Sequence, residues 1–309
     1  MNKSIIRNLL KIIIAGAIYY SGIFAVLNKL IKRKGLVIFS YHNFNTFKNS
    51  YWRKGSIYEI GFIENFKRQL IYIKKKIGFT KNIYIEKSDF NSPLQALITF
   101  DDGYLDNYLY AYPILKELNV PAVFFIPTKC ISTEKPLWHD KIYLLAEKGI
   151  KSKKNVNQIL NKINKGTLKP SDVLEIRKSG IQLDERLRMN WVEIKEMTDN
   201  GFIIGAHGRN HEPFFALEKE GEELEILGST KEISKNISHR EIYFAPPNGS
   251  YTKNTDELLK KAGVSYGFSI NNGINNKNVN NFRLKRIILN VSDPICIVAM
   301  KILFAKIVH

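Results

Sequence analysis

The chain has 309 residues, of which 44% are hydrophobic and 25% are charged, so the sequence is globular and long enough for one large or two small domains. Lys and Arg number 47 against 29 Asp and Glu, and the net charge of +18 favours an anionic partner such as a nucleic acid, an acidic membrane surface or an acidic substrate. The two cysteines, Cys130 and Cys296, form no CxxC motif and exclude a disulfide scaffold.

Residues 1–35 combine seven basic residues, no acidic residue and an uncharged run from Ile12 to Leu27. The run has 16 residues, whereas a membrane-spanning helix needs about 20. This pattern predicts a helix in the interface of an anionic membrane, with the protein peripheral or monotopic at the cell membrane and on its cytoplasmic face. An extracytoplasmic position stays open. The alternative is a cleaved signal peptide, although no clear cleavage site of small residues follows the run.

Seven short apolar runs, rich in β-branched and aromatic residues, alternate with helical patterns along the rest of the chain. The runs are 36–42, 94–100, 121–127, 202–207, 241–247, 264–270 and 284–291. Helices are predicted at 58–76, at 106–118, from the capping residue Asn190 to Gly201, and at 255–262. This alternation predicts parallel strands with crossover helices, in an α/β barrel or an open sheet.

Two segments depart from the alternation. Residues 129–189 are rich in Lys and Asn and predict an inserted helical segment over one end of the barrel. Residues 293–309 predict a C-terminal apolar helix, which either belongs to the barrel or makes a second membrane contact.

The run at 94–100 ends in the sequence TFDDG, which places two carboxylates, Asp101 and Asp102, at the end of a strand. Sites in α/β folds form at the carboxyl ends of the strands. Adjacent carboxylates repel each other, but the pair becomes tolerable if one of them binds a cation.

A second strand end supplies further metal ligands. His207 and His211 lie four residues apart after the run at 202–207, so one helical turn would bring both imidazoles to one face. One Asp and two His are the composition of a catalytic metal site with open positions for water. A third strand end carries the loop "YFAPPNGSY", residues 243–251, in which Pro246 and Pro247 restrict the backbone.

These three motifs, in this order, resemble those of the polysaccharide deacetylase family, also called the NodB-homology domain or carbohydrate esterase family 4. The family motif TFDDG is present literally, His207–His211 stands for HS/TxxH, and the loop at 243–251 stands for an RxPY-like motif. The segments "FSYHNF" and "FRLKRIILN" also resemble the first and last strands of many members. The resemblance covers residues 36–292 and implies a distorted (β/α) barrel and a metal-dependent N-deacetylase of amino sugars.

The resemblance also implies roles for single residues. Asp102, His207 and His211 would bind a divalent metal, with zinc expected and cobalt, nickel or manganese as alternatives. Asp101 would be the general base that takes a proton from the attacking water, and the backbone N–H of Asn248 would stabilise the developing oxyanion.

Four departures from the family pattern stand out. Gly208 replaces a Ser or Thr that would brace the loop, and Ala245 replaces an Arg that would orient the base. Asn248 replaces a Tyr, which leaves only a backbone role for this residue. The late LxH motif, which supplies the general acid in the family, is absent, and the closing strand reads "LKRIILN" instead.

Several residues are candidates for the missing or unassigned roles. His42, at the end of the first predicted strand, is the predicted replacement acid, with a purely structural histidine as the alternative. His139 in "LWHD" is a weaker candidate, and Trp138 and Pro247 are the predicted contacts to the sugar. Arg286 either holds a carboxylate near the site or is only a charge on a strand face.

The sequence therefore predicts a membrane-associated N-deacetylase acting on an amino sugar of a cell-surface polysaccharide or of its lipid-linked precursor. An N-deformylase of a lipid-linked amino sugar is one alternative, and a catalytically silent glycan-binding member of the fold is another. A nucleic-acid partner is excluded, since the chain has no recognition helix, RNP-type aromatic motif or zinc-finger spacing.

Overall fold

The computed structural model describes residues 3–30, 33–44, 58–81, 84–134, 136–147, 155, 158–159, 162, 167, 169–178, 186–238 and 240–305. Within these ranges the chain forms a curled sheet of seven parallel strands covered by helices. The strands are β1 (Leu36–Tyr41), β2 (Gln95–Phe100), β3 (Ala122–Ile126), β4 (Ile203–Ala206), β5 (Ile242–Phe244), β6 (Val264–Gly267) and β7 (Arg286–Ile288). Each lies inside one of the seven predicted runs, so all seven predicted strands are confirmed.

All seven strands run in the same direction, so their carboxyl ends lie at the same end of the sheet. The order is β6-β5-β4-β3-β2-β1-β7, and every neighbouring pair is parallel. A parallel bridge between Phe268 and Leu284 links the segments next to the two edge strands. This curled half-barrel agrees with the predicted distorted (β/α) barrel, and its carboxyl ends carry all three motif loops.

The helices of the described residues surround this sheet. They are α1 (Lys3–Tyr20), α2 (Ile23–Leu30), α3 (Tyr58–Lys76), α4 (Tyr112–Leu118), α5 (Trp138–Glu147), α6 (Pro170–Arg177), α7 (Trp191–Asp199), α8 (Lys219–Asn236), α9 (Thr255–Lys261) and α10 (Ile295–Leu303). The helix predicted at 106–118 begins with a π-helical turn, Asn107–Ala111, before α4. Helices α5 and α6 lie in the predicted insertion at 129–189, of which a large part falls outside the described residues.

Local capping agrees with the sequence at α7. Asn190 Oδ1 accepts the backbone N–H of Glu193 at 2.9 Å, and the Glu193 carboxylate accepts the backbone N–H of Asn190 at 2.8 Å. This reciprocal pair satisfies two N–H groups at the helix start. Gly201, with a φ of 87°, then leaves the helix in the left-handed conformation that glycine adopts readily.

The core has two layers, one on each face of the sheet. Alternate residues of β2 belong to different layers, because successive side chains of a strand point to opposite faces. Ile98 and Phe100 pack against the surrounding helices, whereas Leu97 packs inside the barrel. Towards the carboxyl ends the inner layer becomes polar, beginning with the buried side chains of Ser40 and Thr99.

The N-terminal segment forms two helices, where the sequence predicts one. Gly22, with a φ of 83°, separates α1 from α2. Helix α1 packs against α10, and Arg33 donates to the last-turn carbonyls of α10 at Ile302 and Leu303. Five of the nine residues of α10 are buried, so this helix packs against the rest of the protein. Among the described residues, no helix has the length and apolar character needed to span a bilayer.

Candidate metal centre

Asp101 and Asp102 are buried side by side at the end of β2, and the backbone sends their carboxylates in different directions. Each residue is 3% exposed. Asp101 continues the strand, because its N–H donates to the carbonyl of Tyr41 on β1 at 3.0 Å, so its side chain faces the barrel interior with Thr99. Asp102 and Gly103 turn into the left-handed region, with φ values of 72° and 63°. The two neighbouring carboxylates therefore meet different partners.

Arg286 on β7 neutralises Asp101 inside the barrel. Its Nη1 and Nη2 donate to Oδ1 and Oδ2 of Asp101 at 2.7 and 2.9 Å, and its Nε donates to the carbonyl of Ser269 at 2.9 Å. Burial opposes ionisation of Asp101, but the charge and hydrogen bonds of Arg286, together with the nearby His207 and His42, outweigh burial, and the pKa of the carboxyl is lowered. Arg286 thus holds a carboxylate at the site and is not merely a charge on a strand face.

Asp102, His207 and His211 form a buried cluster of potential metal ligands beyond the ends of β2 and β4. Asp102 Oδ1 lies 3.0 Å from His211 Nε2 and 3.4 Å from His207 Nε2. One ligand atom from each of the three residues lies within 4.8 Å of the other two. One carboxylate oxygen and two imidazole nitrogens suit a divalent transition ion and leave positions open for water and substrate. The donor set therefore fits a catalytic metal ion.

The surroundings of both histidines favour metal binding. His207 Nδ1 donates to the carbonyl of Ala245, which leaves the lone pair of Nε2 facing Asp102. Burial lowers the pKa of His211 to about 4, so its imidazole is neutral at physiological pH. The backbone acceptor of His207 and the low pKa of His211 favour imidazole nitrogens that are available to bind a cation.

The loop that carries the two histidines is not the helical turn that the sequence suggests. Residues 207–213 have no helical structure, and Gly208 and His211 take left-handed φ values of 74° and 59°. Glu225 on α8 is buried, and its carboxylate accepts the backbone N–H groups of Arg209 and Asn210 at 2.8 and 2.9 Å. The imidazoles meet because a carboxylate braces an irregular loop, not because of helical spacing.

A sequence profile described as polysaccharide deacetylase matches residues 91–267, which is more than half of the chain. The chain belongs to the polysaccharide deacetylase family. Within this family it is similar to the poly-beta-1,6-N-acetyl-D-glucosamine N-deacetylase of Staphylococcus aureus, with 25% identity over 226 residues that cover 72% of this chain and 60% of that protein. It is also 22% identical to the Bacillus subtilis protein YxkH over 62% of this chain and 50% of that protein. The chain thus spans about half to three fifths of the length of these curated relatives.

Two solved structures share the fold of this chain. IcaB from Ammonifex degensii matches with a TM-score of 0.55 and 20% identity, over 84% of this chain and 93% of that chain. The Streptococcus pyogenes deacetylase PplD, solved in complex with acetate, matches with a TM-score of 0.56 and 19% identity, over 88% of this chain and 98% of that chain. At this level of identity the likeness establishes the fold.

Two departures from the polysaccharide deacetylase pattern have a physical explanation in the structure. A Cβ added to Gly208 would lie 2.6 Å from Glu225 Oε2, so Ser or Thr would displace the carboxylate that braces this loop. Ala245 lacks the Arg that the pattern leads one to expect, and Arg286 supplies a guanidinium to Asp101 from β7 instead. Each missing side chain is replaced by a charged group from another element.

His42 lies on the open side of Asp101. Its side chain is 45% exposed, and its Nε2 is 3.9 Å from Asp101 Oδ2. The carbonyl of His42 accepts from Asn107 Nδ2 at 2.7 Å, which fixes the backbone at this position. The position is compatible with the predicted role as replacement acid, and that role stays a prediction.

The loop after β5 places Asn248 at the surface. Asn248 is exposed and has a φ of 55°, in a 3-10 turn from Pro247 to Gly249. The role of its backbone N–H as an oxyanion donor stays a prediction. Three of the five non-glycine residues with positive φ in the described chain belong to the site, namely Asp102, His211 and Asn248.

The two predicted sugar contacts are buried. Trp138 is 3% exposed, and its Nε1 donates to the carbonyl of His211 at 3.1 Å. Its ring therefore has no free face for stacking on a sugar, and the indole instead supports a metal-ligand candidate. Pro247 is also buried and lies near Gly208, because a Cβ there would be 3.3 Å from Pro247 Cγ. Stacking of a sugar on Trp138 is therefore not supported, whereas a contact of the sugar with Pro247 stays a prediction.

His139 lies closer to the centre than its sequence position suggests. Its Nε2 is 3.6 Å from Asp102 Oδ2, and its ring centroid is 4.8 Å from that of His211. Burial opposes its protonation, but the charges of Asp140 and Asp102 outweigh burial and raise its pKa. The only sequence signal was a histidine beside a tryptophan in the inserted segment.

The Asp101–Arg286 pair predicts a large loss of stability when it is broken. We expect Arg286→Met to lower the free energy of unfolding by about 3–5 kcal/mol, because it leaves a buried carboxylate without a partner. Arg283→Met is a matched control, since Arg283 pairs with Asp256 where both side chains are partly exposed, and we expect it to cost about 1 kcal/mol or less. Urea denaturation of both variants measures the difference.

The loss of stability caused by Arg286→Met is expected to depend on pH. The folded-state pKa of Asp101 is lowered, so its ionised form stabilises the protein above the unfolded pKa of about 4, and this contribution is lost as the pH falls through the folded pKa. The cost of Arg286→Met is therefore expected to be smaller at pH 4 than at pH 7. Equal costs for the two Met variants at pH 7 would contradict the assigned pairing.

Proposed function

We propose that the chain is a metal-dependent hydrolase that removes the N-acetyl group from an amino sugar of a cell-surface polysaccharide or of its lipid-linked precursor. The observation that carries this proposal is the buried ligand cluster of Asp102, His207 and His211 directly beside an Arg-paired carboxylate, Asp101. Membership of the polysaccharide deacetylase family and similarity to an N-deacetylase of poly-beta-1,6-N-acetyl-D-glucosamine support the substrate class.

Asp102, His207 and His211 are the residues that would hold the ion, and zinc is the ion that their donor set suits best, with cobalt, nickel or manganese as alternatives. A bound divalent ion supplies a lowered water pKa and polarisation of the acyl carbonyl. The protein groups around the cluster then have to position and move protons.

Asp101 accepts the proton of the attacking water at a carboxylate oxygen. Arg286 keeps this carboxylate ionised and oriented, so it is ready to act as a base. The water oxygen forms a bond to the carbonyl carbon of the acetyl group. The backbone N–H of Asn248 donates to the carbonyl oxygen as the negative charge on that oxygen grows. His42 delivers a proton to the sugar nitrogen when the C–N bond breaks, and the products are acetate and the free amine.

Acetate release from N-acetylglucosamine oligomers tests this proposal. We expect the zinc-loaded protein to release acetate from β-1,6-linked oligomers, and Asp101→Asn to lower kcat by about 10²- to 10⁴-fold because it removes the base. Asp199→Asn makes the same chemical change at an exposed aspartate and is expected to leave kcat unchanged.

The outcomes separate the candidate functions. Formate release from N-formyl sugars, with no acetate release, would replace the proposal with N-deformylation. Glycan binding without release of either acid would support a catalytically silent binding module. Unchanged turnover in Asp101→Asn would remove the base from the mechanism.

We further propose that the chain works at an anionic membrane surface, on the cytoplasmic face or on the outer face. Helices α1 and α2 carry large apolar side chains in contact with solvent, and Ile13, Ile14 and Tyr20 are 64%, 57% and 81% exposed. Residues 1–35 have seven basic residues and no acidic one, which complements anionic lipid headgroups. Apolar side chains combined with positive charge are typical of interfacial helices.

Sedimentation with lipid vesicles tests the membrane proposal. We expect the protein to bind vesicles containing phosphatidylglycerol, to release at high salt and to bind phosphatidylcholine vesicles weakly. Replacing Ile13 and Ile14 together by Glu is expected to abolish binding, whereas Val192→Glu on the exposed face of α7 is a control and should not. Equal binding of the double variant, or equal binding to the two lipids, would contradict the proposal.

A further inference from the structure

The inserted helix α5 begins with three consecutive residues that each contact the metal centre or its supports. Trp138 Nε1 donates to the carbonyl of His211 at 3.1 Å. Asp140 accepts the hydroxyl of Tyr104, two residues after Asp102, at 2.8 Å. His139, between them, faces Asp102 itself. The start of this helix is therefore fixed against the candidate ligands from two sides.

A buried ion pair anchors the helix in this position. Arg188 is 0% exposed, and its Nη2 pairs with Asp140 Oδ2. The guanidinium also lies over the ring of Tyr104, 4.0 Å from its centroid. Asp140 Oδ2 accepts the backbone N–H of Leu137 at 2.9 Å as well, which fixes the first turn of α5. The backbone of His139 thus has little freedom to move away from Asp102.

The hydrogen bonds around Tyr104 indicate which ring nitrogen of His139 carries a proton. The Tyr104 hydroxyl donates to Asp140 Oδ1, so its oxygen accepts from His139 Nε2, which lies 3.2 Å away. His139 Nε2 is consequently an N–H donor. The same nitrogen lies 3.6 Å from Asp102 Oδ2, whereas Asp102 Oδ1 is the oxygen that faces His207 and His211. The N–H of His139 therefore lies beside one oxygen of the Asp102 carboxylate, and the two ligand histidines lie beside the other oxygen.

We propose that His139 is a positioning residue of the metal centre. Its Nε2–H donates to the Tyr104 hydroxyl, and the positive end of this N–H, with Nε2 3.6 Å from Asp102 Oδ2, attracts that oxygen and thereby aims Asp102 Oδ1 at the metal position. This inference rests on the proposed function, since it assumes that Asp102, His207 and His211 hold an ion. Groups that hydrogen-bond to a ligating carboxylate orient it and tune its affinity for the ion. The inserted segment thus completes the centre, although it lies outside the three motifs.

Zinc affinity, measured by competition with a chromophoric chelator, tests the proposal without a substrate. We expect His139→Leu to bind zinc about 10- to 100-fold more weakly than the wild type, because the N–H that attracts Asp102 Oδ2 is lost. His139→Gln places an amide N–H near the position of Nε2 and is expected to restore most of the affinity. His42→Leu removes the histidine beside Asp101 and is expected to leave zinc affinity unchanged.

Three outcomes have separate meanings. Wild-type affinity in His139→Leu, with circular dichroism unchanged, would overturn the positioning role. An equal loss in His139→Leu and His139→Gln would also overturn it, because the effect would then not depend on the donated N–H. Absence of zinc binding by the wild type would contradict the proposed function itself and not His139 alone.

Cobalt substitution distinguishes a positioning residue from a fourth ligand. We expect the visible bands of the Co²⁺-loaded protein to keep their position and intensity in His139→Leu once the variant is saturated, because its ligands are unchanged. A shift of these bands, or a change in their intensity, would show that His139 binds the ion directly, and the proposed role would be wrong.

Discussion

Two carboxylates are buried next to each other at the end of β2. Most features of the site follow from the positive charge that is needed to balance them. A buried carboxylate loses the solvation that stabilises it in water, and a second one nearby adds repulsion. The structure resolves this by separating the pair: Asp101 stays in the strand and pairs with Arg286 inside the barrel, while Asp102 turns into the left-handed region towards two histidines. In the proposed function the charge at Asp102 is balanced by a divalent ion.

The surrounding elements replace side chains that the polysaccharide deacetylase pattern would place on the motif loops themselves. Arg286 comes from β7 in place of an Arg at position 245, and Glu225 from α8 occupies the space that a side chain at Gly208 would need. In both cases the charged group is buried and hydrogen-bonded to the site. The site residues are therefore held in place by a side chain from a different element of the fold. Bracing from distant elements gives a well-defined site even though the loop between His207 and His211 has no regular structure.

The sequence predicts the seven strands, the capping of α7 and the Asp102–His207–His211 cluster, because hydrophobic periodicity, capping residues and motif spacing are local signals. The sequence offers Arg286 as a partner of a carboxylate only as one of two alternatives, since the Asp101–Arg286 contact joins positions 185 residues apart through the order of the sheet. It also does not predict that Trp138 is buried or that His139 faces Asp102, because both depend on how the insertion folds back over the barrel. The helical turn expected between His207 and His211 is wrong, since Gly208 and His211 take left-handed conformations.

The metal content of the purified chain tests the central claim most directly, because it needs no knowledge of the substrate. The wild type and His207→Ala are incubated with zinc, desalted and measured by elemental analysis, with His42→Ala as a control histidine outside the ligand set. The account predicts about one zinc per chain in the wild type and in His42→Ala, and a loss of that zinc in His207→Ala. No zinc in the wild type, or equal zinc in all three proteins, would contradict it.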